Sequence, residues 1–328
     1  GRDIKFDVGR MEGYRNFCNK LWNAARYVLM NTETYKPNVA DREYSVADRW
    51  IQSRLQKVIR DTTSAIENYR FDLASQSLYE FVWNEYCDWY LELSKPILWD
   101  DGARESQLNG TRATLLNVLE SILRLLHPLM PFITEEIWQS ISDKLEIPGK
   151  TIMLEPWPEI DPALTDNEAD DTVEWLKDMI TALRTIRAEA NIGPSKTLNV
   201  LIDNANNDDE ARLAANLQAL CKLAKLDEVT IRAGENPLPP SLSTLCRQME
   251  IHVPMDGVIV VEAEKARLNK ERDRAAAEVN RLRQKLTNAK FTERAPADVV
   301  DAERTKLEAG EDTLNKIDGQ LERIGGLP

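Results

Sequence analysis

The sequence contains few of the residues that build metal centres and covalent catalysts. Only two histidines, His127 and His252, occur in 328 residues, and the four cysteines lie far apart with no Cys-x-x-Cys pair. Zinc sites and nucleophilic Cys–His sites need such residues at defined spacings. The sequence therefore predicts no metal site and no catalytic residues, and the scattered cysteines favour a reducing, cytoplasmic compartment.

Long apolar runs are also missing. No stretch approaches the roughly 20 apolar residues that a membrane span requires. The first residues, Gly1–Lys5, contain no apolar signal segment and no initiator methionine. We therefore expect no membrane partner, and we expect the chain to be a segment of a longer protein.

The clearest positive pattern lies in the last fifth of the chain. Between residues 262 and 324, two segments carry heptad-spaced residues, and a polar stretch ending at Pro296 separates them. A repeat of 3.5 residues is typical of helices that supercoil around each other, and proline does not fit inside a helix. We predict an antiparallel coiled-coil hairpin roughly 40 Å long.

The first helix of this hairpin is basic, although the chain is acidic. Residues 262 to 290 contain nine lysines and arginines but only five acidic residues, whereas the net charge of the whole chain is -13. Such an asymmetry is typical of an element that binds a polyanion. A solvated coiled-coil surface held by ion pairs explains the same charges equally well, so both interpretations stay open.

The remaining sequence predicts mainly α structure. Helical periodicity up to about residue 145 indicates five helices, which pack readily into a bundle. After Pro158, helices near residues 167–190 and 208–224 alternate with three short β-like runs. The runs cover residues 197–202, 228–232 and 249–261. We predict a helical bundle over residues 1–158, a small α+β module over 159–261 and the hairpin over 262–328.

One face of the first helix carries the sharpest local chemistry. With Leu21 at the centre of the buried face, Asn16, Lys20, Asn23 and Tyr27 share a stripe about 60° wide on the opposite side. Amides, an ammonium group and an aromatic ring suit unpaired RNA bases, which stack on rings and offer their edges to donors. An ordinary polar helix face with one tyrosine is the alternative.

Three strings resemble a known family. They are Asn16–Leu29, Trp83–Glu92 and Leu126–Trp138, and the third reads L-H-P-x-x-P-F-x-x-E-x-x-W. They resemble the anticodon-binding helical domain of class I aminoacyl-tRNA synthetases for aliphatic amino acids. The prolines of the third string predict a tight junction between two helices, in which His127 is structural. The hairpin that follows a small α+β module resembles the tail of the valyl-tRNA synthetase family.

The resemblance implies a role and a partner. The chain resembles the C-terminal, RNA-binding part of an enzyme that joins valine to its tRNA. ATP and Mg²⁺ are implied for that complete enzyme, whereas this chain lacks the HIGH and KMSKS signatures that bind ATP. We therefore expect a catalytically inactive chain without a cofactor, a monomer whose partner is tRNA.

The same resemblance implies contact residues. Those expected at the anticodon are Lys20, Asn23, Arg26, Tyr27, Trp89 and Leu93. Those expected at the outer corner of tRNA are Arg274, Arg281, Arg283, Lys285, Lys290 and Arg294. Arg26 lies off the helical stripe and depends on the resemblance alone, and Trp89 fits the bundle core equally well.

Other classes of function remain as alternatives. An isoleucyl- or leucyl-type synthetase has a related bundle but a different tail. A coiled-coil scaffold would expose a long apolar seam, which a self-closing hairpin does not. An autonomous hydrolase or metalloenzyme lacks support, because no nucleophile motif or metal-spaced ligands occur.

Overall fold

A computed structural model of the chain describes residues 8–232, 237–255, 261–287 and 297–325. Their contacts divide the chain into two units, one within Gly1–Ile180 and Ala211–Leu223 and the other within Thr181–Glu210 and Ala224–Pro328. This division follows contacts, whereas the domain limits at residues 158 and 261 follow composition and stay a prediction. In the described ranges, no helix is long and apolar enough to cross a membrane.

Helices form the first unit, as predicted. They are α1 (Val8–Asn31), α2 (Val46–Glu67), α3 (Phe71–Glu80), α4 (Leu91–Leu98), α5 (Glu105–Leu126) and α6 (Pro131–Leu145). Single 3₁₀ turns follow at Ile152–Leu154 and Pro162–Leu164. Two further helices, α7 (Asn167–Glu189) and α8 (Asn207–Ala224), each contribute residues to both units.

The third helix of the bundle combines α-helical and π-helical geometry. Residues Phe81–Tyr90 have π-helical geometry and join α3 to α4, so that residues 71–98 form one continuous helix. We call Phe81–Tyr90 the π segment. Its hydrogen bonds run from residue i to i+5, which brings residues five apart onto one face. In an α-helix the same residues lie roughly 140° apart.

A buried carboxylate joins three of these helices. Asp48 is fully buried and accepts hydrogen bonds from the hydroxyls of Ser45 (2.7 Å), Tyr90 (2.7 Å) and Thr111 (2.9 Å). Ser45 is the N-cap of α2, Tyr90 ends the π segment and Thr111 lies in α5. Burial raises the pKa of Asp48 because loss of hydration disfavours the charged form more than these hydrogen bonds favour it.

The string L-H-P-x-x-P-F-x-x-E-x-x-W forms the predicted junction. Helix α5 ends at Leu126, and α6 begins at Pro131. His127 Nδ1 lies 2.8 Å from the Thr134 hydroxyl, and Trp138 Nε1 donates to the buried carboxylate of Glu120 over 3.2 Å. These contacts hold His127 within the junction and close α6 against α5.

A mixed four-stranded sheet lies in the second unit. Its strands are β1 (Leu198–Asp203), β2 (Leu226–Ile231), β3 (Ser241–Cys246) and β4 (Met249–Pro254), in the order β2-β1-β4-β3. β1 and β2 are parallel, and the other neighbours are antiparallel. The sequence did not predict β3, because this edge strand buries only Cys246 and lacks a clear apolar alternation.

One arginine ties the end of α8 to the loop before β1. The guanidinium of Arg187 donates to the carbonyls of Lys196 (2.8 Å), Ala224 (2.9 Å) and Lys225 (2.6 Å). Burial lowers its pKa relative to an exposed arginine. The carbonyls of Ala224 and Lys225 thereby gain a donor at the C-terminal end of α8, where carbonyls lack partners within the helix, and the carbonyl of Lys196 gains one in the loop.

Two long helices form the predicted hairpin. They are α9 (Val261–Thr287) and α10 (Ala297–Gly325), and their buried apolar residues include Val279, Leu282, Val300 and Ile317. Gly310 packs so closely that a Cβ atom there would lie 3.0 Å from a methyl group of Val279. The predicted seam therefore closes on itself. The stretch that contains Pro296 lies outside the described residues.

Ion pairs across the seam fix the direction of the two helices. They join Arg272 to Asp318 (2.8 Å), Arg283 to Glu311 (2.6 Å) and Lys285 to Glu303 (3.0 Å). Because residues further along α9 pair with residues nearer the start of α10, the helices are antiparallel. The predicted mainly α fold with a small α+β module and a coiled-coil hairpin is confirmed.

Gly110 offers a test of the packing between α5 and the loop before α2. A Cβ atom on Gly110 would lie 2.1 Å from the backbone oxygen of Glu43. Gly110→Ala should therefore lower the free energy of unfolding by about 1 to 3 kcal/mol. Gly13→Ala in α1 is the matched control, because its Cβ would meet nothing within 4 Å. Urea denaturation measures both, and equal midpoints would contradict the close approach.

The buried Asp48 predicts an unusual pH dependence. Its pKa is raised in the folded state, so the native chain binds more protons than the unfolded chain between the ordinary and the raised pKa. The stability of the native protein relative to Asp48→Asn should therefore increase as the pH falls from 7 through the raised pKa. The slope reaches at most about 1.4 kcal/mol per pH unit for one proton.

Asp72 serves as the control of opposite sign. Its hydrogen bond with Arg70 lowers the pKa of Asp72 to about 2. The stabilisation from this group is present above the ordinary carboxyl pKa and is lost as the pH falls through the lowered value. Urea midpoints of Asp48→Asn and Asp72→Asn should therefore shift in opposite directions relative to the native chain on acidification. Parallel shifts would show that Asp48 does not have a raised pKa.

Candidate nucleic-acid interface

Helix α1 lies alongside the third helix and forms an aromatic contact with it. The ring of Phe17 stacks on that of Tyr79 at 5.2 Å between centroids, and Tyr79 stacks on Trp83 at 5.6 Å. Phe17 is buried, whereas Tyr79 is exposed at the rim. The stack therefore continues the core toward the surface at the first half of α1.

The next group on this side of α1 is Lys20. Its Nζ lies 3.8 Å from the ring centroid of Trp83 and 2.5 Å from Oδ1 of Asp88. Trp83 and Asp88 are five residues apart, so the π segment brings both to one ammonium group. We call these three residues the Lys20 cluster. The Lys20 side chain is 23% exposed and already paired, so contact with RNA requires it to exchange or share Asp88.

A second cluster, of one lysine and two aromatic rings, lies at the C-terminal end of α1. The Tyr27 hydroxyl is 2.9 Å from that of Ser94, and burial raises the pKa of Tyr27 to about 12. Lys95 Nζ lies 5.9 Å from the Tyr27 ring and 5.4 Å from the Trp99 ring. Asn31 accepts a hydrogen bond from the indole of Trp99 over 3.3 Å. We call Tyr27, Asn31, Lys95 and Trp99 the Tyr27 cluster.

Asn23 and Arg26 are the exposed polar groups of α1 between these clusters. Their amide and guanidinium can donate to base edges or phosphates, whereas Lys20 and Tyr27 are partly engaged within the protein. Of the six predicted anticodon residues, Lys20 and Tyr27 therefore contact the third helix, whereas Asn23 and Arg26 are exposed on α1.

Trp89 lies elsewhere in the bundle. Its ring is 5.7 Å from Nζ of Lys177 in α7, and the same ammonium is 4.7 Å from the ring of the buried Trp50. Trp89 therefore packs toward α7 and does not join the Tyr27 cluster. Its contact with an anticodon stays a prediction.

Leu93 is also turned away from Tyr27. Only 4% of its surface is exposed, and it borders a cavity of about 590 Å³ together with Ile97 and Val173. Its predicted anticodon contact is likewise untested.

Sequence reasoning did not select five residues of these clusters. They are Asn31, Trp83, Asp88, Lys95 and Trp99. Trp83 and Asp88 lie within a string that carried the family resemblance, but their common face depends on π winding. Lys95 approaches the Tyr27 ring and Trp99 donates to Asn31, in both cases across more than 60 positions in the sequence, and helical periodicity does not encode such contacts.

The basic residues of the hairpin differ in whether they form ion pairs. Arg283 and Lys285 pair across the seam with Glu311 and Glu303. Arg281 pairs within its own helix with Glu278 at 2.6 Å. Arg274 and Lys270 are exposed, and among the described residues neither has a carboxylate within ion-pair distance. The predicted contacts Lys290 and Arg294 lie outside the part that the structure describes.

Comparison with known proteins first gives a class. Residues 48–202 match the family described as the anticodon-binding domain of tRNA ligase. Residues 261–325 match the valyl tRNA synthetase tRNA binding arm. Helix α1 precedes the first match, so its assignment depends on geometry and on relatives of the whole chain.

The relatives then define the particular family. Over all 328 residues the chain is 44% identical to the valine–tRNA ligase of Coxiella burnetii (strain RSA 493 / Nine Mile phase I), and it spans 36% of the length of that relative. The chain belongs to the valyl-tRNA synthetase family, which confirms the resemblance of its three strings and its tail.

A solved structure shows a more distant similarity. It is the ternary complex of Agrobacterium radiobacter K84 agnB2 LeuRS-tRNA-LeuAMS, which is 16% identical and covers 71% of this chain and 27% of that chain. The TM-score is 0.34, a value that does not identify a common fold.

Proposed function

We propose that this chain is the tRNA-recognition part of a valyl-tRNA synthetase. The observation that carries the proposal is the side of α1 where Asn23 and Arg26 are exposed between two clusters of cations and aromatic rings. Aromatic faces stack on unpaired bases, and amide and guanidinium groups read base edges. Membership of a tRNA ligase family supports the same partner.

The complete enzyme joins valine to tRNA with ATP and Mg²⁺ in this proposal, and the present chain supplies binding. The residues present do not fit either cofactor. The chain lacks the HIGH and KMSKS signatures. Within the described ranges, no group of three or more His, Cys, Asp or Glu side chains is placed to hold a metal ion. We assign the chemistry to the portion of the longer enzyme that this chain does not span.

We propose a monomer in the cytoplasm. The four cysteines are free thiols, as a reducing compartment requires. In the described part of the hairpin, the apolar seam is filled by the partner helix of the same chain, which supports a hairpin that needs no second copy.

At the anticodon, the residues of α1 and of the two clusters make different kinds of contact. Asn23 and Arg26 contact base edges, because their polar groups are exposed. Tyr27 offers the accessible part of a ring whose hydroxyl is held by Ser94. Lys20 contacts a phosphate by sharing its ammonium between the RNA and Asp88, while the Trp83 ring keeps the ammonium in place.

At the arm, the outer face of α9 contacts phosphates. Lys270 and Arg274 are four residues apart, which places them on one face about 6 Å apart along the helix. Arg281 continues this face two turns later and shares its charge with Glu278. For Arg283 and Lys285, contact with RNA competes with the ion pairs that hold the hairpin together.

The first functional prediction concerns anticodon reading. Asn23→Ala should weaken binding of valine tRNA by about 1 kcal/mol because one hydrogen bond is removed, and Tyr27→Ala should weaken it by about 1 to 3 kcal/mol because a stacking surface is removed. Both effects should shrink on tRNA with an altered anticodon. Filter binding at fixed salt measures all four affinities.

Two further variants control this experiment. Asn117→Ala changes an exposed asparagine in α5 and should leave both affinities unchanged. Tyr27→Phe keeps the ring but removes the hydrogen bond to Ser94, which separates stacking from folding. Equal decreases for the two tRNAs in Asn23→Ala and Tyr27→Ala would mean that α1 attracts RNA without reading bases.

The second functional prediction concerns the arm. Replacing both Lys270 and Arg274 by Gln should reduce affinity and flatten the slope of log affinity against log salt by about 0.7 to 0.9 for each phosphate that is no longer bound. Discrimination between anticodons should persist, because these residues lie on the arm. Titration of valine tRNA at several salt concentrations gives the slopes.

Arg283→Gln is the matched variant of the same helix. It removes an ion pair with Glu311, so its main effect should be a lower melting temperature of the hairpin. The salt slope should change less than in the Lys270 and Arg274 double variant. An unchanged slope in the double variant would exclude the outer face of α9 as a phosphate-binding surface.

A further inference from the structure

Trp99 is the most exposed of the eight tryptophans, with 63% of its surface accessible, although its position is fixed. It caps α4, and its backbone N–H donates to the carbonyl of Lys95 over 3.0 Å. Its indole N–H donates to Asn31 at the end of α1, and Asn31 in turn donates to the carbonyl of Tyr27 over 2.8 Å. The ring is therefore both open to solvent and oriented from two helices.

The surroundings of this ring are polar. Lys95 Nζ lies 5.4 Å from the Trp99 ring, and it is also paired with Glu92. Asn31 accepts a hydrogen bond from the indole N–H of Trp99, and Asp100 is the next residue in the sequence. A protein interface usually has an apolar core in which a central tryptophan is surrounded by further apolar side chains, with polar residues only at the rim. A single exposed ring beside an ammonium group suits a flat aromatic ligand that carries a negative charge nearby, because the ring can stack on the ligand and the ammonium can pair with the charge.

We propose that Trp99 is a base-stacking residue of the RNA site, and that its ring takes an unpaired base next to the one that meets Tyr27. Lys95 lies between the two rings and neutralises the phosphate that joins the two nucleotides. This inference rests on the proposed function. It adds a base-stacking residue that neither the family strings nor the helical stripe selected.

The geometry explains why the two rings have different roles. Tyr27 is half-buried, and its hydroxyl is held by Ser94, so it offers a limited stacking surface. Trp99 offers most of a larger ring. Removing a ring that stacks on one base weakens binding by about 5- to 150-fold. We therefore expect Trp99→Ala to reduce affinity at least as much as Tyr27→Ala does.

The experiment uses the full chain and a hairpin RNA with the anticodon stem and loop of valine tRNA. One loop position at a time carries 2-aminopurine, whose fluorescence falls when it stacks on an aromatic ring. In the native chain, binding should quench one or two positions. Trp99→Ala should restore fluorescence at one of them and lower affinity, whereas Trp99→Phe should keep most of the quenching.

Two variants serve as controls. Trp22→Ala removes an exposed tryptophan of α1, 43% accessible and outside both clusters, and should leave quenching and affinity unchanged. Lys95→Met keeps the aliphatic stem but removes the charge. It should lower affinity and the salt dependence of binding while leaving the quenched position quenched. Circular dichroism confirms that each variant is folded.

The outcomes separate this inference from the proposed function. If Trp99→Ala binds and quenches as the native chain does while Asn23→Ala weakens binding, the stacking role of Trp99 is wrong and anticodon recognition stands. If the native chain binds hairpins with correct and altered anticodons equally, anticodon recognition itself fails. If Trp99→Ala loses a protein partner but no RNA affinity, the exposed ring is a protein contact and the inference is overturned.

Discussion

The bundle depends on the buried carboxylate of Asp48. Its hydrogen bonds fix the start of α2, the end of the π segment and α5 relative to one another. Two further contacts hold the π segment: Tyr86 donates a hydrogen bond to the carbonyl of Leu115, and Arg54 forms an ion pair with Glu85. These contacts set the rotation of the π segment, and that rotation turns Trp83 and Asp88 toward α1. The geometry of the candidate RNA site is therefore decided inside the core.

Several basic groups serve both folding and binding. Lys20 is paired with Asp88, Lys95 with Glu92 and Lys285 with Glu303, so in the proposed function each contacts RNA only by sharing or exchanging a carboxylate. Exposed ion pairs are weak, which makes such an exchange feasible. It also reduces attraction to arbitrary polyanions, because a neutralised cation contributes little at long range. An acidic chain with a net charge of -13 can thereby restrict its basic character to two surfaces.

In the proposed function, the bundle and the arm bind the same RNA by different kinds of contact. Near α1, rings and amides favour contacts with bases, which depend on sequence and only modestly on salt. Along α9, lysine and arginine favour contacts with phosphates, which carry no sequence information and weaken with salt. This division would let the arm supply affinity without reducing the discrimination that we propose for the residues near α1.

Local patterns in the sequence were sufficient for much of this architecture. The heptads predicted the hairpin, the two prolines predicted the junction at Leu126–Pro131, and three strings identified the family, because each feature depends on residues close together in the chain. The stripe of α1 predicted the exposure of Asn16 and Asn23, but it could not show that Lys20 and Tyr27 contact the third helix. The edge strand β3 escaped prediction because only one of its residues is buried. Tertiary structure alone decided the π segment, the pairing of Lys20 with Asp88 and the hydrogen bond of Trp99 with Asn31, since these depend on contacts between distant residues that no local period records.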